Sequence, residues 1–103
     1  MTGTLDLNDP DSATGTAGDL CSGTGGYDDI ANGAEVVISD DTGHTLDITT
    51  LTAGSIVSSA CDFKFESTIP AGKGFYGITV THRGTVKFTE TEMQNPALTL
   101  GNG

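Results

Sequence analysis

Basic side chains are scarce in this sequence. It has four lysine and arginine residues against fourteen aspartate and glutamate residues, which gives a formal net charge of −10. Because binding to a phosphate backbone requires a basic surface, this chain is not expected to bind nucleic acid. Anionic membrane surfaces are disfavoured for the same reason. The negative charge instead favours solubility, a basic partner surface or a divalent cation.

Long apolar runs are also absent from the sequence. No segment approaches the ~18 consecutive apolar residues of a transmembrane helix, so we expect no membrane insertion. Met1–Asp6 contains neither a basic region nor an apolar core, so we expect no signal peptide there. For a protein outside the cell, two routes then stay open. The chain is a domain excised from an exported protein, or it is released without the secretory route, for example by cell lysis.

Good helix formers are few, whereas the chain has 17 threonines and 15 glycines. Because threonine and valine favour strands and glycine favours turns, this composition predicts an all-β fold. Short strand-like segments follow one another at the close spacing that is typical of a β-sandwich. We therefore predict one domain over residues 1–103, a Greek-key, immunoglobulin-like sandwich of seven to eight short strands. The predicted strands are 4–7, 34–39, 45–50, 56–57, 61–66, 75–81, 85–89 and 98–100.

The clearest alternation runs from Cys61 to Glu66 and predicts that Cys61, Phe63 and Phe65 point into the core. A disulfide between Cys21 and Cys61 would close a loop of about 40 residues, worth roughly 4 kcal/mol in the chain-entropy model. We predict this bond because its surroundings are those of a stapled extracellular β domain. Two reduced, buried cysteines would leave the same sequence.

The stretch at 21–30, CSGTGGYDDI, resembles a CSGxGGYxDI motif of a small extracellular β domain. Such domains occur in secreted and membrane-anchored proteins of high-GC Gram-positive bacteria, and phages of such hosts carry similar sandwich domains on their virions. The resemblance continues through 36–40, CDFKF at 61–65 and FYGITVTHRG at 75–84. It implies the sandwich fold and the disulfide, and it implies no particular activity.

Acidic residues cluster near the N-terminus, where Asp6, Asn8, Asp9 and Asp11 form a D-x-N-D-x-D pattern. Calcium takes six to eight oxygen ligands, and loops gathered at one end of a sandwich can supply them. These four residues are therefore a candidate calcium site. The pattern is weak, because aspartate and asparagine are also the common turn residues, and a solvated acidic turn is the simpler explanation. No other cofactor is expected.

No catalytic constellation is recognisable. The G-x-S-x-G elbow of serine hydrolases is missing, and two histidines are too few for a zinc site that leaves the cysteines bridged. His82 and Arg83, the only arginine, mark a candidate interaction spot because arginine is enriched at interfaces. Arg83 is equally suited to neutralising nearby carboxylates. Tyr76 is either a tyrosine-corner residue, with its hydroxyl bonded back to a loop, or an ordinary core tyrosine.

The sequence therefore predicts a non-enzymatic structural or interaction module displayed outside the cell. The leading hypothesis is a virion-surface protein of decoration type, whose partners are capsid proteins. Residues 1–20 would form an N-terminal arm and 95–103 a C-terminal tail, both ordering on neighbouring molecules. The alternative is a cell-envelope or secreted binding module, with a protein, cell wall or calcium as its ligand.

Overall fold

A computed structural model describes residues 1–8, 16–57, 60–81 and 83–101 of the chain. Within these residues nine strands form two sheets, and no α-helix occurs. The strands are β1 (Thr2–Asn8), β2 (Leu20–Cys21), β3 (Glu35–Asp40), β4 (Thr45–Thr50), β5 (Gly54–Val57), β6 (Ala60–Glu66), β7 (Phe75–Val80), β8 (Arg83–Thr89) and β9 (Ala97–Gly101). Short 3₁₀ helices cover Gly25–Tyr27 and Glu92–Gln94.

The first sheet has five strands in the order β2-β5-β6-β1-β9, and the second has four in the order β4-β3-β7-β8. Every pairing is antiparallel except that of β1 with β9, which is parallel. The chain passes from one sheet to the other between β2 and β3, β4 and β5, β6 and β7, and β8 and β9. As a result β3 pairs with β7 although three strands lie between them in sequence, which is the kind of connection that Greek-key sandwiches use. The predicted all-β sandwich is confirmed.

The core lies between the two sheets and follows the alternation of the strands. In the first sheet Leu5 and Leu7 from β1 and Cys61, Phe63 and Phe65 from β6 are fully buried. The second sheet contributes Val36 and Ile38 from β3 and Tyr76, Ile78 and Val80 from β7, all at most 3% exposed. The inward face predicted for Cys61, Phe63 and Phe65 of β6 is therefore confirmed.

One of the nine strands, β2, was not predicted from the sequence. β2 consists of only Leu20 and Cys21, which pair with Ser55 and Gly54 at the edge of the first sheet. A strand of two residues is too short to show an alternation of apolar and polar side chains, so hydrophobic periodicity does not predict it. Its position depends on pairing with β5, about 35 residues further along the chain.

The expectation of an N-terminal arm over residues 1–20 is wrong for Thr2–Asn8. This segment is β1, an inner strand of the five-stranded sheet that pairs with β6 on one side and β9 on the other. Its alternating leucines are the reason, because Leu5 and Leu7 bury their side chains in the core. The expected tail over 95–103 likewise contains Ala97–Gly101, which is β9.

Tyr76 is a tyrosine-corner residue in its hydrogen bonding. Its hydroxyl donates to the carbonyl oxygen of Pro70 at 2.8 Å, six residues upstream, while its ring is 1% exposed. The tyrosine thereby fixes the connection that brings the chain from β6 to β7. Within the described residues, no helix is long and apolar enough to cross a membrane.

Candidate functional site

The Cys21–Cys61 disulfide is present and joins two strands that are not neighbours in the sheet. It links the edge strand β2 to β6 across β5, with the two Cα atoms 5.9 Å apart. Gly54 of β5 makes this approach possible. A Cβ atom built there would lie 2.8 Å from the carbonyl oxygen of Cys21 and 2.6 Å from the ring of Phe63. The bond therefore ties the edge of the sheet to the core.

The stretch after Cys21 folds into a tight loop that needs its first glycine. Gly23 donates its backbone N–H to the carbonyl oxygen of Ile30 at 2.7 Å. A Cβ atom at Gly23 would collide with the carbonyl group of Tyr27, so a larger residue does not fit without moving the backbone. Gly25 has a φ of 55°, in the left-handed region that glycine adopts most easily. Ile30 closes the loop and is fully buried.

Arg83 fastens this loop to the β7–β8 hairpin. Its guanidinium group donates to both carboxylate oxygens of Asp29, at 3.1 and 2.5 Å, and to the carbonyl oxygen of Gly26 at 2.6 Å. The same group lies 4.8 Å from the ring centre of Tyr27, a cation–π arrangement. We call Gly26, Tyr27, Asp29, Thr81 and Arg83 the latch. Of the two roles considered for Arg83, pairing with a carboxylate is the one the structure displays, and His82 lies outside the described residues.

Thr81 is the strained member of the latch. Its φ of 52° is unusual for a β-branched residue. Two hydrogen bonds hold it there: its hydroxyl donates to Asp29, and its N–H donates to the carbonyl oxygen of Glu35 at 2.9 Å. The hydrogen bond from Arg83 is the main reason that the pKa of Asp29 lies below its ordinary value, with the Thr81 hydroxyl adding to the effect.

Replacing Arg83 with alanine is expected to lower the free energy of unfolding by about 1 kcal/mol at pH 7. The figure is modest because the Arg83 and Asp29 side chains are 28% and 35% exposed. Since the pKa of Asp29 is lowered on folding, its contribution is complete above the unfolded pKa of about 3.9 and is lost as the pH falls through the lower folded value. Urea unfolding at pH 7 and pH 2.5 measures both effects. Equal stability of Arg83→Ala and the parent protein at pH 7 would contradict the latch.

The candidate calcium ligands are only partly described. Asp6 and Asn8 lie on the outward-facing side of β1, half-buried, whereas Asp9 and Asp11 lie outside the described residues. In the parts of the chain that are described, no group of three or more His, Cys, Asp or Glu side chains is placed to hold a metal ion. Calcium binding by Asp6, Asn8, Asp9 and Asp11 therefore stays a prediction.

Asp6 has a different neighbour that the sequence did not indicate, the carboxyl group of Asp62. The two residues face each other directly across β1 and β6. Oδ1 of Asp62 is buried and has no hydrogen-bond partner. Burial raises the pKa of Asp62 above its ordinary value, and the nearby charge of Asp6 raises it further, while Lys64 opposes the shift. The pair is therefore a local source of instability when both groups are ionised.

Replacing Asp62 with asparagine is expected to stabilise the protein at pH 7 by roughly 0.2–1 kcal/mol, the usual range for one cross-strand pair. The raised pKa means that the folded protein holds its proton more tightly than the unfolded chain. The parent protein therefore loses stability as the pH rises from about 3.9 through the higher folded value, and the variant does not. Thermal unfolding from pH 3 to pH 8 tests this. A stability gain that is the same at pH 3 as at pH 8 would show that charge is not the cause.

A groove of about 850 Å³ lies on the outer face of the four-stranded sheet. Its centre is Gly77 of β7, which lies between Ser39 of β3 and Lys87 of β8. Phe75 and Thr79 lie two residues to either side of Gly77 on the same outward face. A Cβ atom at Gly77 would meet Thr85 at 2.6 Å and Ser39 at 2.9 Å. The missing side chain thus lets the side chains of Thr85 and Ser39 approach the middle strand closely.

One end of the groove is formed by the β3–β4 turn, residues 40–44. Asp40 holds the turn, because its Oδ1 accepts hydrogen bonds from the N–H groups of Thr42 and His44, both at 2.9 Å, and from the Thr42 hydroxyl at 2.7 Å. These bonds, led by that of the Thr42 hydroxyl, lower the pKa of Asp40 and keep it ionised. The turn is therefore ordered before any ligand arrives.

The groove combines apolar, hydroxyl and charged groups. Phe75 is 55% exposed and Val37 is half-buried on the groove floor. The hydroxyls of Thr79 and Thr85 lie 2.7 Å apart. Asp41 and Lys87 also line the groove, and among the described residues neither forms an ion pair. A groove of this size with a few placed polar groups is the usual form of a small-ligand site.

In comparisons with known proteins, no family model, no curated protein and no solved structure matches this chain. The resemblance to the small extracellular β domain is thus supported by two features only, the Cys21–Cys61 bond and the strand-rich fold. The motif residues Gly23, Gly26, Tyr27 and Asp29 hold a loop in place, since their contacts are with the loop itself and with Arg83.

Sequence reasoning missed the groove as a site. The alternation of β7 places Phe75 and Thr79 on one face, but it does not show which strands lie beside them. The only local signal was Gly77 at an outward position between those two residues, since a glycine inside a strand often marks a site where other groups approach the backbone closely.

Proposed function

We propose that this chain is a non-enzymatic structural or interaction module, displayed outside the cell, that binds through the groove around Gly77. The observation that carries the proposal is the groove itself, one end of which is a turn held in place by Asp40. Its polar groups suit recognition rather than catalysis. His44, the histidine of the described residues, is exposed on the β3–β4 turn, and within those residues its ring forms no hydrogen bond with a nucleophilic side chain.

A location outside the cytosol is supported by the disulfide. Such bonds persist in oxidising surroundings and are rare in reducing ones. The acidic composition also fits a protein that stays soluble while it presents one face to a partner. These two features favour an exported or released protein.

Two settings fit such a module. In the first, it is a virion-surface protein of decoration type, attached to capsid proteins. Because Thr2–Asn8 and Ala97–Gly101 are sheet strands, attachment would use a face or an edge of the sandwich rather than those segments as extended arms. In the second setting it is a cell-envelope or secreted binding module, which the open groove favours.

Fractionation of the native source, followed by an antibody to the chain, separates these settings. A virion-surface protein sediments with particles, whereas an envelope or secreted module stays with cell walls or in the supernatant. The intact mass before and after reduction should differ by two hydrogens in either case. Recovery in the cytosol, with both thiols free, would overturn the proposal.

A further inference from the structure

We propose that the groove around Gly77 binds a neutral saccharide. This inference rests on the proposed function and adds the class of ligand. A sugar presents a face of C–H groups and a rim of hydroxyls, and it carries no net charge. A site for it therefore needs an exposed apolar surface beside several hydrogen-bonding groups.

The apolar surface is supplied by Phe75. More than half of its side chain is exposed at the end of the groove, although aromatic rings of this size usually lie in the core. Stacking of a sugar ring would remove part of this surface from water. Val37 extends the apolar floor beyond Thr79, its partner on β7.

The hydrogen-bonding groups lie around that floor. Ser39 and Lys87 flank Gly77 on the two neighbouring strands, which places them about 10 Å apart across the groove. The hydroxyls of Thr79 and Thr85 lie along one side and hydrogen-bond to each other, which leaves one O–H donor and the remaining lone pairs of both oxygens for a ligand. Asp41 and Lys87 offer a charged acceptor and a charged donor, which form stronger hydrogen bonds than neutral groups.

Charge argues against the other small ligands that a groove of this size could take. Asp40 and Asp41 at one end and the net charge of −10 disfavour phosphates, nucleotides and acidic peptides. An extended peptide would add to a free strand edge, which the groove does not offer, because it crosses β3, β7 and β8 on their face. A neutral ligand rich in hydroxyls avoids this repulsion and matches the hydroxyl groups that line the groove.

The test uses the oxidised protein and a panel of neutral oligosaccharides, comprising β-1,4-linked glucose and N-acetylglucosamine oligomers, α-mannosides and soluble neutral cell-wall glycan. Titration followed by amide NMR should shift the signals of Phe75, Gly77, Thr79 and Lys87. Replacing Phe75 with alanine should weaken binding about tenfold, because it removes the stacking surface. Ile48→Ala is the matched control, since Ile48 is 57% exposed on the same sheet but does not line the groove.

Three results would overturn the saccharide inference: no shifts with any glycan at millimolar concentration, shifts away from the groove, or equal loss with Phe75→Ala and Ile48→Ala. Binding of a peptide or protein at the groove in place of glycans would also overturn it. These failures are distinct from failure of the proposed function. A chain that binds no glycan but still fractionates with virions or envelopes is an interaction module with another ligand.

Discussion

Replacing Cys21 and Cys61 together with alanine is expected to lower the free energy of unfolding by about 4 kcal/mol. The bond closes a loop of 40 residues, and without it the unfolded chain gains the conformational freedom that the bond removes. A domain of this size has only about 5–15 kcal/mol of stability in total. The variant should therefore melt tens of degrees lower or be unfolded at 37 °C. Urea and thermal unfolding measure the loss.

A matched control separates loss of the bond from loss of core volume. Cys61 is fully buried, so alanine at this position also leaves a small void. Reduction of the parent protein with dithiothreitol breaks the same bond and keeps both sulfur atoms. The reduced protein should account for most of the loss. If reduction leaves the stability unchanged while the double variant is much weaker, packing of Cys61 rather than the cross-link is responsible.

The role of the bond follows from the position of β2. This strand has two residues and one pairing partner, so its few hydrogen bonds are a weak hold on the sheet edge. The loop that follows it relies on the latch at its other end. Disulfide and latch thus hold the segment from Leu20 to Ile30 at two points. We infer that breaking the bond releases β2 first, and that the latch and the buried side chain of Ile30 then hold the loop.

Local pattern was sufficient to predict the strands that bury a full face. The alternation of Cys61, Phe63 and Phe65 predicted an inward face, and all three are fully buried. Such predictions succeed because a strand with one buried face must place apolar residues at every second position.

Contacts between residues that are distant in the sequence could not be predicted, for a physical reason. Asp29 and Arg83 are 54 residues apart, and the sequence around either residue does not predict that the two side chains pair. The pairing of Asp6 with Asp62 depends in the same way on β1 lying beside β6. The groove depends on strand order too, since Ser39, Gly77 and Lys87 meet only because β3, β7 and β8 are neighbours. Strand order is set by how whole faces pack together, which a single sequence does not display.

Replacing Phe63 with alanine is expected to cost about 3–5 kcal/mol, the range for a fully buried phenylalanine. The ring lies against Gly54, which has no side chain to fill the space that the substitution leaves. The void would lie beside the strand that the disulfide crosses, between the core and the sheet edge. The loss should appear as a lower urea midpoint with an unchanged slope.

Phe75→Ala is the matched control for this prediction, because it removes the same side chain from an exposed position of the other sheet. Its effect on stability should stay within about 0.5 kcal/mol. A loss below about 1 kcal/mol for Phe63→Ala would contradict the packing described around Gly54. If Phe63→Ala lowers the free energy of unfolding strongly and Phe75→Ala leaves it unchanged, the exposed ring of Phe75 at the groove does not stabilise the fold. The exposed position of Phe75 is then explained by binding rather than by folding, and stacking of a ligand on the ring is such an explanation.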